Sequence, residues 1–222
     1  MLSDGYVANG SEPWHIPDVS DIPLIEADFA TEPNAHNASG QERHHPYQRD
    51  PETQIRAWAL PGTPGLEHRI GGLEKSESGM ISYDPENHDH MVTLRRAKID
   101  GIARDFADVV VDDPSGRAKV LLLGWGSTYG PVRAAAEAIR AAGHDVARAH
   151  LRHLNPFPAN LGDVLRAYDR VLVPEMNLGQ LTTMLRARYL VDVASYSRVR
   201  GLPINSAELA ADVITRIQEL SA

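Results

Sequence analysis

The stretch that decides the fold is KVLLLGWGSTYGP, residues 119–131. Residues 120–123 are apolar without alternation, which is typical of a strand covered on both faces of a sheet. Residues 124–130 are rich in glycine and favour a turn, and Pro131 is a preferred first-turn residue of a helix. The stretch therefore predicts a buried strand, a tight turn and a helix that packs back onto the sheet.

The residues that follow repeat this alternation of strand and helix. Further strands are predicted near residues 145–149, 170–174 and 190–194, and helices near residues 131–143, 161–168, 178–188 and 205–220. Asn205 is followed three residues later by Glu208, a capping-box arrangement that marks the start of the last helix. Strands that alternate with helices indicate an α/β domain at residues 118–222, with a mainly parallel sheet and helices on both faces.

Residues 1–117 have a different character. Turn-forming residues interrupt this part of the chain at short intervals, and hydrophobic periodicity is poor except over residues 91–111, where one linking helix is predicted. A segment of this kind seldom forms its own core and is commonly ordered by a partner. We therefore expect a long irregular extension, with one helix, before the α/β domain.

Composition excludes several classes of function. The 222 residues carry a formal net charge of -8, which argues against nucleic-acid binding. The chain contains no cysteine, so it forms no disulfide and supplies no thiolate to a zinc or iron–sulfur site. No apolar run approaches the length of a membrane span and the first residues do not resemble a signal peptide, so we expect a cytoplasmic protein.

Two local patterns invite a ligand-binding interpretation. The turn at residues 124–130 lies where a dinucleotide-binding loop would lie, but three residues separate Gly126 from Gly130, whereas the fingerprint has two. We therefore favour a turn that lets strand and helix pack closely, with a nucleotide-binding module as the alternative. His88 and His90 lie among acidic residues but lack the spacing of a metal motif, and no metal site is assigned.

The segment LPGTPGLEHRIGGLE, residues 60–74, has no helical or strand period. It combines glycines and prolines with charged and titratable side chains, and such a loop is costly to order unless it has a task. The residues alone favour a functional loop and a solvated loop equally.

The same segment carries a resemblance to a known family. Residues 61–74 (PGTPGLEHRIGGLE) and 82–88 (SYDPENH) resemble the α subunit of bacterial 2-oxoglutarate:ferredoxin oxidoreductases. Further similar stretches are LSDGYVANGSEPW at 2–14, GWGSTYG at 124–130, PEMNLGQL at 174–181 and GLPIN at 201–205. The resemblance thus extends over essentially the whole chain.

The resemblance implies a thiamine-diphosphate enzyme that decarboxylates a 2-oxoacid, passes electrons through an iron–sulfur cluster to ferredoxin, and delivers the acyl group to coenzyme A. In this family the α subunit supplies a pyrimidine-binding domain and then a domain like the C-terminal domain of transketolase. The β subunit supplies the binding of diphosphate and Mg²⁺, and the cluster. The chain is then identified with the C-terminal part of an α subunit.

On this pattern residues 2–5 end a late strand of the pyrimidine-binding domain, and residues 1–117 hold the end of that domain and a linker. The acid that activates the cofactor ring falls outside the chain, so we assign no catalytic residue, no cofactor-binding residue and no cofactor to this chain alone. The expected role is assembly with the β subunit. The resemblance also suggests that the loop at 62–74 approaches the substrate or the β subunit, where His68 or Arg69 could meet a 2-oxoacid carboxylate.

Overall fold

The computed structural model describes residue 10 and residues 15–221, except for the side chain of Ser221. The strand expected at residues 2–5 lies outside this range. The described residues divide into two compact units, one within residues 13–102 and the other within residues 103–222 together with residue 10. No helix within the described range is long and apolar enough to cross a membrane.

The unit at residues 13–102 contains little regular structure. Its strands are β1 (Phe29–Ala30), β2 (Ala35–His36), β3 (Glu42–Arg43) and β4 (Trp58–Ala59), and its helix is α1 (Pro85–Gly101). β1 pairs with β4 in parallel, and β2 pairs with β3 antiparallel. Apart from these short strands and α1 the unit is irregular, in agreement with the irregular extension expected before the α/β domain.

The bounds predicted for that helix are wrong. The carboxylate of Asp84 accepts a hydrogen bond from the backbone N–H of Glu86 at 3.0 Å, and Pro85 occupies the first turn, so α1 begins six residues before the predicted start. The helix ends at Gly101 and passes into a 3₁₀ turn at Ile102–Asp105.

The unit that includes residues 103–221 is built on a five-stranded sheet. Its strands are β5 (Val111–Asp112), β6 (Val120–Trp125), β7 (Ala147–Leu151), β8 (Arg170–Glu175) and β9 (Val193–Ser197), and its helices are α2 (Tyr129–Ala141), α3 (Leu161–Arg166), α4 (Gln180–Tyr189) and α5 (Ser206–Ser221). The strands lie in the order β5-β7-β6-β8-β9, and all neighbours are parallel except β5 and β7. The predicted α/β fold with a mainly parallel sheet is confirmed.

Helices cover both faces of this sheet because its central strand is apolar throughout. Val120 and Leu122 pack in one core with residues of α2 and α5, while Leu121 and Leu123 pack in a second core with residues of α3 and α4. Successive side chains of a strand point to opposite faces, so an unbroken apolar run serves both cores.

Strand β5 was missed by the sequence analysis. It is two residues long, and side chains hold it in place: Asp112 accepts from Arg140 at 3.2 Å and pairs with Arg148 at 2.7 Å. The side chain of Asn160 also bonds both the N–H and the carbonyl of Val109, at 2.9 and 3.1 Å. No periodicity can appear in so short a strand.

Two helix ends show how local chemistry sets the element bounds. Asn205 accepts from the backbone N–H groups of Ala207 and Glu208 at 2.9 and 3.1 Å, which confirms the predicted start of α5, although the Glu208 carboxylate pairs with Arg200. Leu190 ends α4 in the left-handed region with φ of 55°, so β9 starts three residues later than predicted.

Candidate functional site

The loop at residues 62–74 is ordered around one buried side chain. Leu66 is 3% exposed, and its N–H donates to the carbonyl of Thr63 at 3.3 Å. Gly62 and Gly65 have φ of 90° and 81°, a region that other residues enter at a cost. The glycines are therefore needed for the turns that bury Leu66.

Glu74 ends this loop and ties it to helix α1. Its carboxylate lies 2.7 Å from Nδ1 of His88 and 2.9 Å from Nη1 of Arg95. The hydrogen bonds from His88 and Arg95 lower the pKa of Glu74. The carboxylate is thus ionised at neutral pH and is already engaged by two partners.

A cavity of about 650 Å³ lies beside this network, within the unit at residues 13–102. Its charged lining consists of Arg49, Arg56, Lys75, Arg95, Lys98 and Glu74. The chain as a whole carries a net charge of -8, so this concentration of positive charge is local. Concave sites of this volume are typical of small-molecule binding.

Lys75 is the most buried cation of the cavity. Its side chain is 2% exposed, and its Nζ donates to the carbonyls of Gly71 and Leu73 at 2.9 and 2.7 Å. These carbonyls hold the ammonium in position at the end of the loop. They accept hydrogen bonds from two of its three N–H donors without neutralising its charge.

Two further cations of the cavity, Arg49 and Arg56, are also held by neutral groups. The Arg56 guanidinium lies 4.4 Å from the centroid of the Tyr47 ring, and Nη1 of Arg49 donates to the carbonyl of Gln54 at 2.9 Å. Burial, followed by the charges of Arg56 and Arg95, lowers the pKa of Arg49. Within residues 15–221 none of Arg49, Arg56, Lys75 and Lys98 forms an ion pair.

His68 and Arg69, the substrate-contact candidates, do not line this cavity; Gly72, Leu73 and Glu74 do. His68 is half-buried, its Nδ1 lies 2.8 Å from the carbonyl oxygen of Leu66, and its ring meets that of His44 edge-on at 5.3 Å. Arg69 is exposed. The last residues of the loop therefore line the cavity, whereas Arg69 lies outside it and is exposed.

His88, which was considered as a metal ligand but not assigned as one, lies on the first turns of α1 and contacts the Glu74 carboxylate. Across the described part of the chain, no group of three or more His, Asp or Glu side chains is placed to hold a metal ion.

The carboxyl edge of the parallel sheet is the other place where a ligand site is expected in such folds. Glu175 ends β8 and is fully buried. It accepts from the backbone N–H groups of Leu181 and Thr182 at 2.9 and 3.0 Å and from the Thr182 hydroxyl at 2.9 Å. These three donors make Glu175 a cap for the start of α4, a role that the sequence analysis did not identify.

The glycine turn at the end of β6 is tightly packed. A Cβ on Gly124 would lie 3.0 Å from both His150 Nδ1 and Thr128 Oγ1. The Thr128 hydroxyl accepts from the N–H of Trp125 at 2.9 Å and donates to its carbonyl at 2.7 Å. Burial, followed by the charges of Arg152 and Arg148, lowers the pKa of His150. The predicted close approach of strand and helix at this turn is confirmed.

Comparison with known proteins places this fold in a class. Residues 118–207 match the family described as pyruvate:ferredoxin oxidoreductase core domain II. The chain is 57% identical over 210 residues to 2-oxoglutarate oxidoreductase subunit KorA of Mycobacterium tuberculosis, a match over 94% of this chain and 31% of that protein. The chain belongs to the family of 2-oxoacid:ferredoxin oxidoreductase α subunits.

Other relatives agree with this assignment. The chain is 34% identical over 149 residues to 2-oxoacid:ferredoxin oxidoreductase 2, subunit alpha, of Aeropyrum pernix, covering 65% of this chain and 23% of that protein. A solved 2-oxoglutarate:ferredoxin oxidoreductase from Magnetococcus marinus, with 2-oxoglutarate, coenzyme A and succinyl-CoA bound, matches with a TM-score of 0.76 and 30% identity. That match covers 90% of this chain and 34% of the solved chain. The chain spans about a third or less of the length of these proteins.

Proposed function

We propose that this chain works in the cytoplasm as the C-terminal part of the α subunit of a thiamine-diphosphate-dependent 2-oxoglutarate:ferredoxin oxidoreductase. The complete enzyme converts 2-oxoglutarate and coenzyme A into succinyl-CoA and carbon dioxide, and transfers the released electrons to ferredoxin. The proposal rests chiefly on the identity of 57% over 94% of the chain with a 2-oxoglutarate oxidoreductase subunit.

The extent of that match argues against an independent nucleotide-binding module. Such a module would need the α/β unit alone, whereas the similarity reaches far beyond residues 118–207 and into the irregular unit. An irregular segment of this length is retained when it has a surface to bind.

Within the complex we assign this chain a role in assembly. The segment at residues 16–25 exposes large apolar side chains, among them Val19 at 82%, Leu24 at 91% and Ile25 at 98%. Neighbouring apolar side chains with this exposure favour a protein interface. The β subunit is the partner that the proposed enzyme requires.

The cofactors of the proposed enzyme divide between chains. Thiamine diphosphate supplies the carbanion chemistry of decarboxylation when bound. This chain has no cysteine, so we assign the thiolate ligands of the iron–sulfur cluster to the β subunit. Its described residues also offer no group of three Mg²⁺ ligands. We therefore derive no catalytic step from this chain.

The test is co-purification from the native host. The tagged chain is recovered, its partners are identified by mass spectrometry, and thiamine-dependent reduction of ferredoxin by 2-oxoglutarate is measured on the eluate. We expect a β subunit and coenzyme A-dependent activity. Recovery of the soluble chain with neither would contradict the proposal and favour the independent module.

We further propose that Arg69 or His68 contacts a carboxylate of the 2-oxoacid in the complete enzyme. Arg69 is exposed at the tip of an ordered loop, and a guanidinium suits the distal carboxylate of 2-oxoglutarate because it can bind both oxygens. Arg69→Ala should raise KM for 2-oxoglutarate by about tenfold or more, as expected for a lost charge-assisted contact.

Arg43→Ala is the matched control, since Arg43 is also an exposed arginine of the irregular unit and lies on β3. It should leave KM unchanged. If Arg69→Ala and His68→Ala leave both KM and kcat at the wild-type values, these residues do not contact the substrate.

A further inference from the structure

The basic cavity of the irregular unit has a positive charge that the described residues around it do not balance. Five cations line it, and the one carboxylate among them, Glu74, is shared between Arg95 and His88. We propose that this cavity binds a small oxyanion of the phosphate type that carries two or more negative charges. This proposal does not depend on the proposed function.

The positions of the cations show that they are built into the cavity. Lys75 is nine-tenths buried and is fixed by two carbonyls, and Arg56 is braced on the Tyr47 ring. A buried cation is normally paired with a carboxylate. Among the residues that the structure describes, Lys75 has no such partner, and a bound anion would supply one.

Helix α1 contributes one face to the same cavity. Met91, Arg95 and Lys98 follow one another at helical spacing, and Ile99 adjoins them. A face that alternates apolar and cationic groups is unsuited to an apolar core, but it suits a ligand with a charged end and an organic body. Lys98 and Arg95 therefore line the cavity from the same helix.

Glu74 neutralises only one of the five cations that line the cavity, and the remaining positive charge favours a ligand with more than one negative charge. Glu74 balances Arg95 and leaves Arg49, Arg56, Lys75 and Lys98 without a counter-charge among the described residues. Burial, followed by the charges of Arg56 and Arg95, lowers the pKa of Arg49, so these cations repel one another. A monovalent anion would relieve little of this repulsion, whereas a diphosphate group would relieve most of it.

Phosphate-type oxyanions are favoured because arginine binds them through paired N–H donors and lysine serves as a point charge. The cavity of about 650 Å³ has room for more than the anion itself. Its apolar side chains, Leu73, Met91 and Ile99, would contact an organic part of the ligand.

The experiment is isothermal titration calorimetry on the full chain at fixed ionic strength. Inorganic pyrophosphate is the probe, and succinate, a dicarboxylate, is the comparison ligand. We expect saturable binding of pyrophosphate that weakens with salt and exceeds that of succinate. The double variant R49Q/K98Q should weaken pyrophosphate binding at least tenfold, because two charge-assisted contacts are lost. The charge-preserving variant R49K/K98R should retain most of it.

Arg96→Gln is the matched control. Arg96 lies on the same helix as Lys98, pairs with Asp100 at 2.7 Å and does not line the cavity. It should bind pyrophosphate within twofold of the wild type. Thermal unfolding of every variant establishes that a loss of binding is not a loss of fold.

A comparison of pyrophosphate with ADP distinguishes the two sources of the anion. Tighter binding of ADP would assign the apolar wall to an organic diphosphate, and equal binding would assign the site to an inorganic ion. The proposal is overturned if pyrophosphate does not bind, or if R49Q/K98Q and Arg96→Gln bind it as well as the wild type.

Discussion

Replacing Gly124 by alanine would place a methyl group where strand β6 meets the start of helix α2. The added Cβ would lie 3.0 Å from His150 Nδ1, 3.0 Å from Thr128 Oγ1 and 3.4 Å from Val132 Cγ2. Favourable contacts between such atoms lie at about 3.5–4.0 Å. The neighbours must therefore move by a few tenths of an ångström.

Neither polar neighbour can move without loss. The Thr128 hydroxyl is held by two hydrogen bonds to the backbone of Trp125, and the His150 ring packs edge-on against Tyr129 at 5.1 Å. Overpacking of this kind costs about 1–3 kcal/mol, a net figure that already includes the gain from burying the methyl group. We expect Gly124→Ala to lower the free energy of unfolding by about 1–2 kcal/mol.

The assay is urea denaturation followed by circular dichroism, where a loss of this size lowers the midpoint by roughly 0.5–1 M. Gly130→Ala is the control, because a Cβ on Gly130 meets nothing within 4 Å and the residue lies in the first turn of α2. It should leave the midpoint unchanged or raise it slightly. Equal midpoints for the two variants would refute the argument that close packing requires glycine at position 124.

Two further predictions concern strand β5. Burial raises the pKa of Asp112, but the hydrogen bonds and charges of Arg140 and Arg148 outweigh it and lower the pKa overall. The contribution of Asp112 to stability is therefore present above about pH 4 and is lost as pH falls further. Asp112→Asn should be less stable than the wild type at pH 7, and the difference in urea midpoint should shrink below pH 4. Asn160→Ala removes both bonds to Val109 and should cost about 1–2 kcal/mol, with faster amide exchange at residues 109–112; exchange rates equal to those of the wild type would mean that Asn160 does not hold the strand.

The sequence predicted the α/β fold because its decisive features are local and periodic. The apolar run at residues 120–123 indicates a doubly covered strand, and Asn205 marks the start of the last helix by a hydrogen bond to its own neighbours. Strand β5 could not be predicted in this way. Its position depends on Asn160, which contacts Val109 from 51 residues away.

The family resemblance could be read from the sequence, whereas the cavity could not, because the residues of the cavity are distant from one another along the chain. Long motifs such as residues 61–74 carry family membership directly, since every residue of the match is contiguous. The cavity instead joins Arg49 and Arg56 to Lys75 and to Lys98, and each of these residues alone looks like a solvated surface charge in the sequence.

One signal for the cavity was nevertheless present in the sequence. On helix α1 the residues Met91, Arg95, Lys98 and Ile99 share a face on which cations interrupt the apolar positions. A helix that packs only against a core would keep that face apolar, and a solvated helix would have no reason to bury Met91, which is 4% exposed. A helical face that combines the buried Met91 with the exposed or half-exposed Arg95, Lys98 and Ile99 is therefore the pattern that favours a charged ligand, and the burial of Met91 is visible only in the folded chain.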